Sequence, residues 1–167
     1  MLSSLGCSSN PPIDGISQLE YNFYSITLDS LFGDEKNIIL RDTVVVPYYD
    51  EMTGPTIFAD NKDLTPKYQI DKDLLSNNKR IELIPRSYLS EIEKGKHERF
   101  WDNLFEKFPN SVGWVTLSTI NYNEDSTQAS FFINQGCGDF CGGEKEIIFE
   151  KNNQNWELAY VMQIGEL

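Results

Sequence analysis

The last third of the chain contains four runs typical of β-strands, and their close spacing constrains the fold more than any other feature. The runs are rich in β-branched and aromatic residues and cover residues 112–122, 127–135, 144–151 and 156–163. Segments rich in Asn, Asp and Gly separate them. Because strands joined by short connections usually pair antiparallel, the sequence predicts a four-stranded antiparallel meander.

Two helical patterns precede this meander. The first has apolar or β-branched residues at steps of three and four, followed by Gly33 as a stop signal; they are Ile16, Leu19, Phe23, Thr27, Leu28 and Leu31. The second begins at His97, carries aromatic residues on one face and ends at Pro109-Asn110. Just before it, the segment 90–93 fits a capping box. We expect both helices to pack on the core.

Between the two helical patterns, two apolar runs predict strands. One is Asn37–Val46, closed by Pro47, and the other is Lys79–Ile84, closed by Pro85. Residues 47–78 are rich in Pro, Gly, Asp and Asn, so we predict a loop around one short helix near residues 66–75.

The predicted fold class is therefore α+β, with an N-terminal helix and strand, central helices, and the C-terminal four-stranded antiparallel meander packed against the helices. A chain of 167 residues, of which 40% are hydrophobic, is large enough for one core. We assign residues 13–167 to a single α+β domain and residues 1–12 to a signal remnant and tether.

The charge of the chain excludes nucleic acid as a partner. Lys and Arg number 14 against 26 Asp and Glu, which gives a formal net charge of −12. Phosphate binding needs clustered cations, and the pairs at 79–80 and 94–96 are too short to form such a surface. The acidic surface leaves open a basic protein partner, a cationic ligand, or simple solubility.

The N-terminus resembles a bacterial lipobox. Small residues precede Cys7, and a polar spacer with Pro11-Pro12 follows it. In lipoproteins this cysteine is acylated and everything before it is removed. The resemblance implies lipidation at Cys7 and a lipid anchor as the only membrane contact. We therefore expect the bacterial cell envelope, either lipid-anchored or periplasmic or extracellular. The alternative is a cytoplasmic protein, if Met1 is the true start.

Several motifs recur together in residues 80–167: Phe100-Trp101, the segments Phe108–Gly113 and Gly136–Gly143, and a final strand that opens at Trp156. With these motifs the region resembles a family of small, uncharacterised exported bacterial proteins and lipoproteins of Bacteroidetes type. The resemblance implies an exported setting and the order of helix followed by meander. It implies no activity, because none is known for the family.

Cys137 and Cys141 are the most chemically suggestive pair in the chain. They are separated by three residues and flanked by four glycines at a predicted strand-to-strand loop. In an oxidising compartment we expect a disulfide that staples this hairpin tip, with the glycines permitting tight turns. The alternatives are a redox-active pair, a metal site with His97 and a carboxylate, and free thiols.

No catalytic signature accompanies these features, and we predict no cofactor and no metal. His97, the only histidine, has no identifiable partner for general-base work and is expected to pack against Trp101 or to be solvated. The acid pairs at 50–51 and 124–125 fall in turn-rich segments, where solvated turns are a simpler explanation than a hydrolytic carboxylate pair or a calcium site.

The sequence therefore favours a non-catalytic binding or interaction module at the bacterial envelope. A variant of this hypothesis is an immunity or inhibitor protein whose acidic face masks a basic partner. Its predicted recognition surface comprises Tyr48 and Tyr49, in the long loop, with Asp139 and Phe140 at the hairpin tip. The alternative is a small-ligand-binding protein or an enzyme, with a pocket between the helices and a curved sheet.

Overall fold

The chain folds around a large mixed β-sheet. A computed structural model describes residues 15–33, 36–50, 54–57, 64–76, 78–85, 87–88, 99–138 and 141–166. The strands within these ranges are β1 (Asn37–Arg41), β2 (Thr43–Val45), β3 (Tyr48–Asp50), β4 (Gly54–Thr56), β5 (Pro66–Gln69), β6 (Ile81–Ile84), β7 (Ser111–Leu117), β8 (Asn121–Tyr122), β9 (Gln128–Gly138), β10 (Cys141–Asn152) and β11 (Asn155–Glu166). The helices are α1 (Gln18–Phe32), α2 (Phe100–Lys107) and short 3₁₀ helices at Lys72–Leu74 and Asn78–Arg80.

Seven of the described strands form the main sheet, in the order β11-β10-β9-β7-β1-β6, with β8 also paired to β9. The strands from β7 to β11 pair antiparallel, whereas β1 pairs parallel with both β6 and β7. Since β6 and β7 flank β1 and run in the same direction, the connection from β6 through α2 to β7 is a crossover past β1.

Helix α1 confirms the first helical prediction. At its start, the Ser17 hydroxyl accepts a hydrogen bond from the Glu20 backbone N–H, and the Glu20 carboxylate accepts one from the Ser17 N–H at 2.7 Å. This reciprocal capping box satisfies backbone donors that a helix start leaves unpaired. At its end, Gly33 has φ +60°, a left-handed conformation that favours glycine.

The predicted strand 37–46 is real but divided at Asp42. β1 belongs to the main sheet, whereas β2 pairs with β5 in a separate two-stranded sheet. Asp42 is held from two sides, since its N–H donates to the Ile84 carbonyl at 3.1 Å and its carbonyl accepts from the Ile70 N–H at 2.8 Å. These two bonds mark the point where the chain leaves one sheet for the other.

The middle third differs from the predicted loop with one helix. Where a helix was expected near residues 66–75, the chain forms β5 and then only a short 3₁₀ turn. Tyr48 and Tyr49 lie in β3, which pairs with β4 as a small hairpin. Pro66 can open β5 because, among the described strands, this short strand pairs only with β2.

Helix α2 confirms the prediction that the second helix packs on the core. His97 and residues 90–93 lie outside the described residues. Leu104 is fully buried and packs with Ile39 of β1 and Ile84 of β6. These contacts lie on the opposite side of the sheet from α1.

The sheet therefore has two distinct faces, because successive side chains of a strand point to opposite sides. The α1 face carries the largest core, in which residues of α1 pack against Ile38, Leu40, Phe131 and Phe149. The α2 face is covered by α2 near β1 and β6, and by Ile57 near β9, where Ile57 packs with Val45 and Phe132.

The predicted fold class is wrong. The described part of the chain is mostly β, and helices do not pack on a simple four-stranded meander. The four C-terminal strand runs exist and pair antiparallel, but they form only part of a mixed sheet that β1 and β6 extend in parallel. Parallel pairing joins segments distant in sequence, so the rule that neighbouring strands pair could not find it.

Candidate functional site

The cysteine pair forms the predicted disulfide. Cys137 ends up 5.1 Å from Cys141 between Cα atoms, and the bond closes the β9–β10 hairpin where Gly138 pairs with Cys141. Gly142 has φ +127°, and a Cβ at this position would clash with the Gln135 carbonyl oxygen. The predicted disulfide is thereby confirmed, and Gly142 has the backbone conformation that favours glycine.

The predicted recognition residues are only partly described. Tyr49 is 76% exposed on the β3–β4 hairpin, and Tyr48 is half-buried beside it. They lie in a paired strand, so the prediction that they belong to a long loop is wrong. Asp139 and Phe140, like Cys7, lie outside the described residues, so a joint surface stays a prediction.

Of the two predicted acid pairs, Asp125 lies in a solvated turn as expected, whereas Asp50 lies in strand β3. The Asp125 carboxylate accepts from the Thr127 hydroxyl at 2.7 Å and from the Thr127 N–H at 3.3 Å. These hydrogen bonds lower the pKa of Asp125, with the hydroxyl as the main cause. Glu51 lies outside the described residues. In the described ranges, no group of three or more His, Cys, Asp or Glu side chains could hold a metal ion.

A row of polar side chains crosses the α2 face, and no sequence pattern predicted it. Thr116 of β7 pairs with Asn134 of β9, and Asn134 pairs with Glu144 of β10. Arg41 extends the row on β1, since it follows Leu40, the partner of Val115. Arg41, Thr116 and Glu144 are each at most 5% exposed. The row therefore places opposite charges at its two ends inside the protein.

Glu144 uses this position to anchor the segment that covers it. One carboxylate oxygen accepts from the Ile57 backbone N–H at 2.8 Å, and the other accepts from the Thr56 hydroxyl at 2.5 Å. Elsewhere in the row, Thr116 accepts from the Trp114 indole N–H at 3.1 Å. With both oxygens engaged, Glu144 is built to hold β4 against the sheet, a positioning role that differs from that of a free general base.

A second feature of the α2 face lies at the sheet edge and is exposed. We call it the edge patch, and it consists of Ile148, Tyr160 and Met162 with Glu146, Glu150 and Glu157 around them. The register pairs Ile148 with Tyr160, Glu146 with Met162 and Glu150 with Glu157, so all six point to one face. Tyr160 is 57% exposed and Met162 is 44% exposed.

The edge patch lies on β11, an outer strand of the main sheet within the described part of the chain. From Leu158 to Gly165 this strand carries no charged residue. Its ladder with β10 shifts register at two places, one between Tyr160 and Leu158 and one between Gly165 and Gln163. These bulges leave one regular stretch, from Tyr160 to Gln163, between them.

Sequence reasoning recognised the strand at 156–163 but not its edge position, which depends on the order of strands in the sheet. The uncharged run from Leu158 to Gly165 was the one sequence feature that indicated this surface. If such a run is exposed in an acidic chain, it indicates an interaction site.

Comparisons with known proteins supply no relative: no family model, no curated protein and no solved structure matches the chain. The resemblance of residues 80–167 to exported lipoproteins stays a prediction. None of the described helices has the length and hydropathy needed to cross a membrane.

Proposed function

We propose that this protein is a non-catalytic binding module of the bacterial envelope, which binds a basic, extended segment of a partner protein along β11. The observation that carries the proposal is the edge patch, an apolar centre with a carboxylate rim on an outer strand. An exposed sheet edge offers unpaired N–H and C=O groups to an added strand, and such addition is a common mode of peptide recognition.

The exposure of the edge supports a binding role. Tyr160, Val161, Met162 and Ile164 are all between 38% and 57% exposed, within one stretch of five residues. Soluble proteins usually protect long edge strands with charges, and the middle of β11 has none. An exposed apolar run of this kind favours a surface that is covered by a partner.

Charge decides the kind of partner. Glu146, Glu150 and Glu157 surround the apolar centre, and the whole chain carries a net charge of −12. A second copy of the chain would bring the same negative charge to the edge, so electrostatic repulsion disfavours self-pairing. A lysine- or arginine-bearing segment would instead be attracted, in agreement with the basic partner expected from the sequence.

The bulges limit how much of β11 can pair with this segment. A regular ladder can run along Tyr160–Met162, and the bulges on either side twist the strand away from a long partner. Specificity then comes from side chains of the partner that contact Tyr160 and Met162 on one face and Val161 on the other.

Peptide titration tests this proposal. The probe is a capped peptide of alternating valine and threonine with lysines at both ends, and the comparison peptide carries glutamates in place of the lysines. We expect calorimetry to detect binding of the lysine peptide only, with affinity falling as salt is raised. Equal binding of both peptides, or of neither, would contradict the proposal.

Matched variants locate the binding. The double variant Tyr160→Lys with Met162→Lys should weaken peptide binding by at least about tenfold, since it removes the apolar centre and adds repulsion. The control is Ile26→Lys with Leu74→Lys, which adds the same two charges at side chains that are 44% and 43% exposed elsewhere. If both double variants lose binding equally, or if sedimentation shows that the chain pairs with itself through β11, the proposed partner is wrong.

A further inference from the structure

A cavity of about 420 Å³ opens at the end of the sheet where the parallel strands β1 and β6 begin. Its volume lies within the usual range for small-ligand pockets. Ile38 and Ile81 line it near the starts of their strands, together with Phe108, which follows α2. Lys79 and Lys107 line it as well, and Glu82 contributes a carboxylate.

The two lysines are the unusual part of this lining. The chain has only 14 Lys and Arg residues and an excess of carboxylates, yet Lys79 and Lys107 form no ion pair with any described residue. Lys107 lies with its ammonium group 4.1 Å from the centre of the Tyr88 ring. A lysine in the last turn of α2 is favoured by the helix dipole, which accounts for Lys107 but not for Lys79.

A third cation stabilises the rim of the cavity. The Arg80 guanidinium forms a salt bridge with Asp29 at 3.2 Å and also donates to the carbonyl oxygens of Gly33 and Lys36. These bonds tie the end of α1 to the turn that carries Lys79. A rim held in this way loses little conformational freedom when a ligand binds.

We propose that this cavity binds a small oxyanion with an apolar body, the class that includes aromatic carboxylates and phosphate monoesters. The oxyanion lies between the Lys79 and Lys107 ammonium groups, and the apolar body lies against Phe108 and Pro109. Glu82 opposes negative charge in the cavity, so a carboxylate with one charge is preferred over a phosphate monoester, which is mostly a dianion at neutral pH. This ligand site is independent of the β11 edge, and it develops the small-ligand alternative that the sequence left open.

Titration with simple probes, followed by amide chemical shifts in NMR spectra, tests the inference. The probes are benzoate and phenyl phosphate, with benzyl alcohol lacking the charge and inorganic phosphate lacking the apolar body. We expect benzoate to bind with a dissociation constant of about 1 mM and to shift the amides of Ile38, Ile81 and Phe108. Both incomplete probes should bind at least about tenfold more weakly.

Charge-matched variants separate the site from the general charge of the protein. Lys79→Gln with Lys107→Gln should weaken benzoate binding by about tenfold or more, because each lysine supplies a charge-assisted contact. Lys67→Gln with Lys151→Gln removes the same charge from two lysines that lie near the aromatic rings of Tyr68 and Trp156. Glu82→Gln should strengthen binding, since it removes the opposing carboxylate.

The amide spectrum of each variant also shows whether it is folded. The inference is overturned if no probe shifts the cavity amides, if benzyl alcohol binds as well as benzoate, or if the control pair of substitutions weakens binding as much as the cavity pair. Peptide binding at β11 should be unchanged in the Lys79→Gln with Lys107→Gln variant and in Glu82→Gln, so failure of one proposal leaves the other open to its own test.

Discussion

The two faces of the sheet are built from the same strands but differ in what they hold. On the α1 face, Phe23 stacks on Phe149 at 4.4 Å and Tyr24 meets Phe131 edge-on at 5.0 Å, in a closed aromatic core. On the α2 face, the same strands carry the polar row that ends at Glu144. The difference shows how strand alternation lets one face supply stability while the other places polar groups and exposed contacts.

β11 repeats this contrast within a single strand. On the α1 face it contributes Trp156 and Leu158 to the main core, whereas on the α2 face Tyr160 and Met162 face solvent. The change in burial follows the first bulge, at Ala159, which shifts the register with β10. Stability and recognition are therefore divided both between faces and along the strand.

The largest expected effect comes from the α1 face. Phe23→Ala should lower the free energy of unfolding by about 3–5 kcal/mol, because it removes a ring that is 1% exposed and leaves a cavity. Chemical denaturation measures the loss. The control Ile26→Ala, on the same helix but 44% exposed, should change stability by less than about 0.5 kcal/mol. If the two variants lost equal stability, the α1 face would not be the main core.

The polar row should give the next largest effect and a different pattern. Glu144→Ala leaves the Ile57 N–H and the Thr56 hydroxyl without their acceptors, and we expect a loss of about 2–3 kcal/mol. Glu144→Gln retains one acceptor oxygen and should lose less. Hydrogen exchange distinguishes the faces, since Glu144→Ala should release the Ile57 amide more than the amides of α1.

An equal increase in hydrogen exchange at α1 and at Ile57 would contradict the local role of the polar row. If Glu144→Ala destabilised α1 and Ile57 equally, the polar row would belong to the global core and would not be a local anchor for β4.

The features predicted correctly from sequence are those that local patterns determine. The capping box of α1 was not foreseen, but its apolar spacing and Gly33 were enough to place the helix. The C-terminal strands were recognised because alternation and turns are local signals. The disulfide between Cys137 and Cys141 was expected because an oxidising compartment favours pairing of two cysteines at a hairpin tip.

The features that were missed depend on which strands become neighbours. Arg41 and Glu144 share a row only because β1, β7, β9 and β10 are adjacent in the sheet, and no local pattern contains that order. Lys79 and Lys107 likewise look like unrelated surface charges in the sequence, and a single cavity joins them only in the fold. A composition of net charge −12 even directs attention away from such a site.

The smallest expected effect is a loss of folding stability at alkaline pH through Tyr122, at the rim of the α1 face. Burial raises the pKa of Tyr122 to about 12, from an ordinary value of 10.0. Tyr122 pairs with the buried Ala129 and lies 6.1 Å from the Trp156 ring, so it belongs to the rim of this core. Because the folded state holds the phenol proton more tightly, the stabilisation is complete below pH 10 and is lost as the pH rises towards 12.

The loss attributable to Tyr122 should be no more than about 1 kcal/mol, because its side chain is 40% exposed and solvent screens the interaction. Denaturation at several alkaline pH values measures it. Tyr122→Phe should flatten the fall in stability, whereas Tyr49→Phe, at a ring 76% exposed on the β3–β4 hairpin, should leave it unchanged. Identical alkaline profiles for the Tyr122→Phe variant and the wild type would mean that other groups cause the loss, and the pH dependence would then no longer distinguish the two faces.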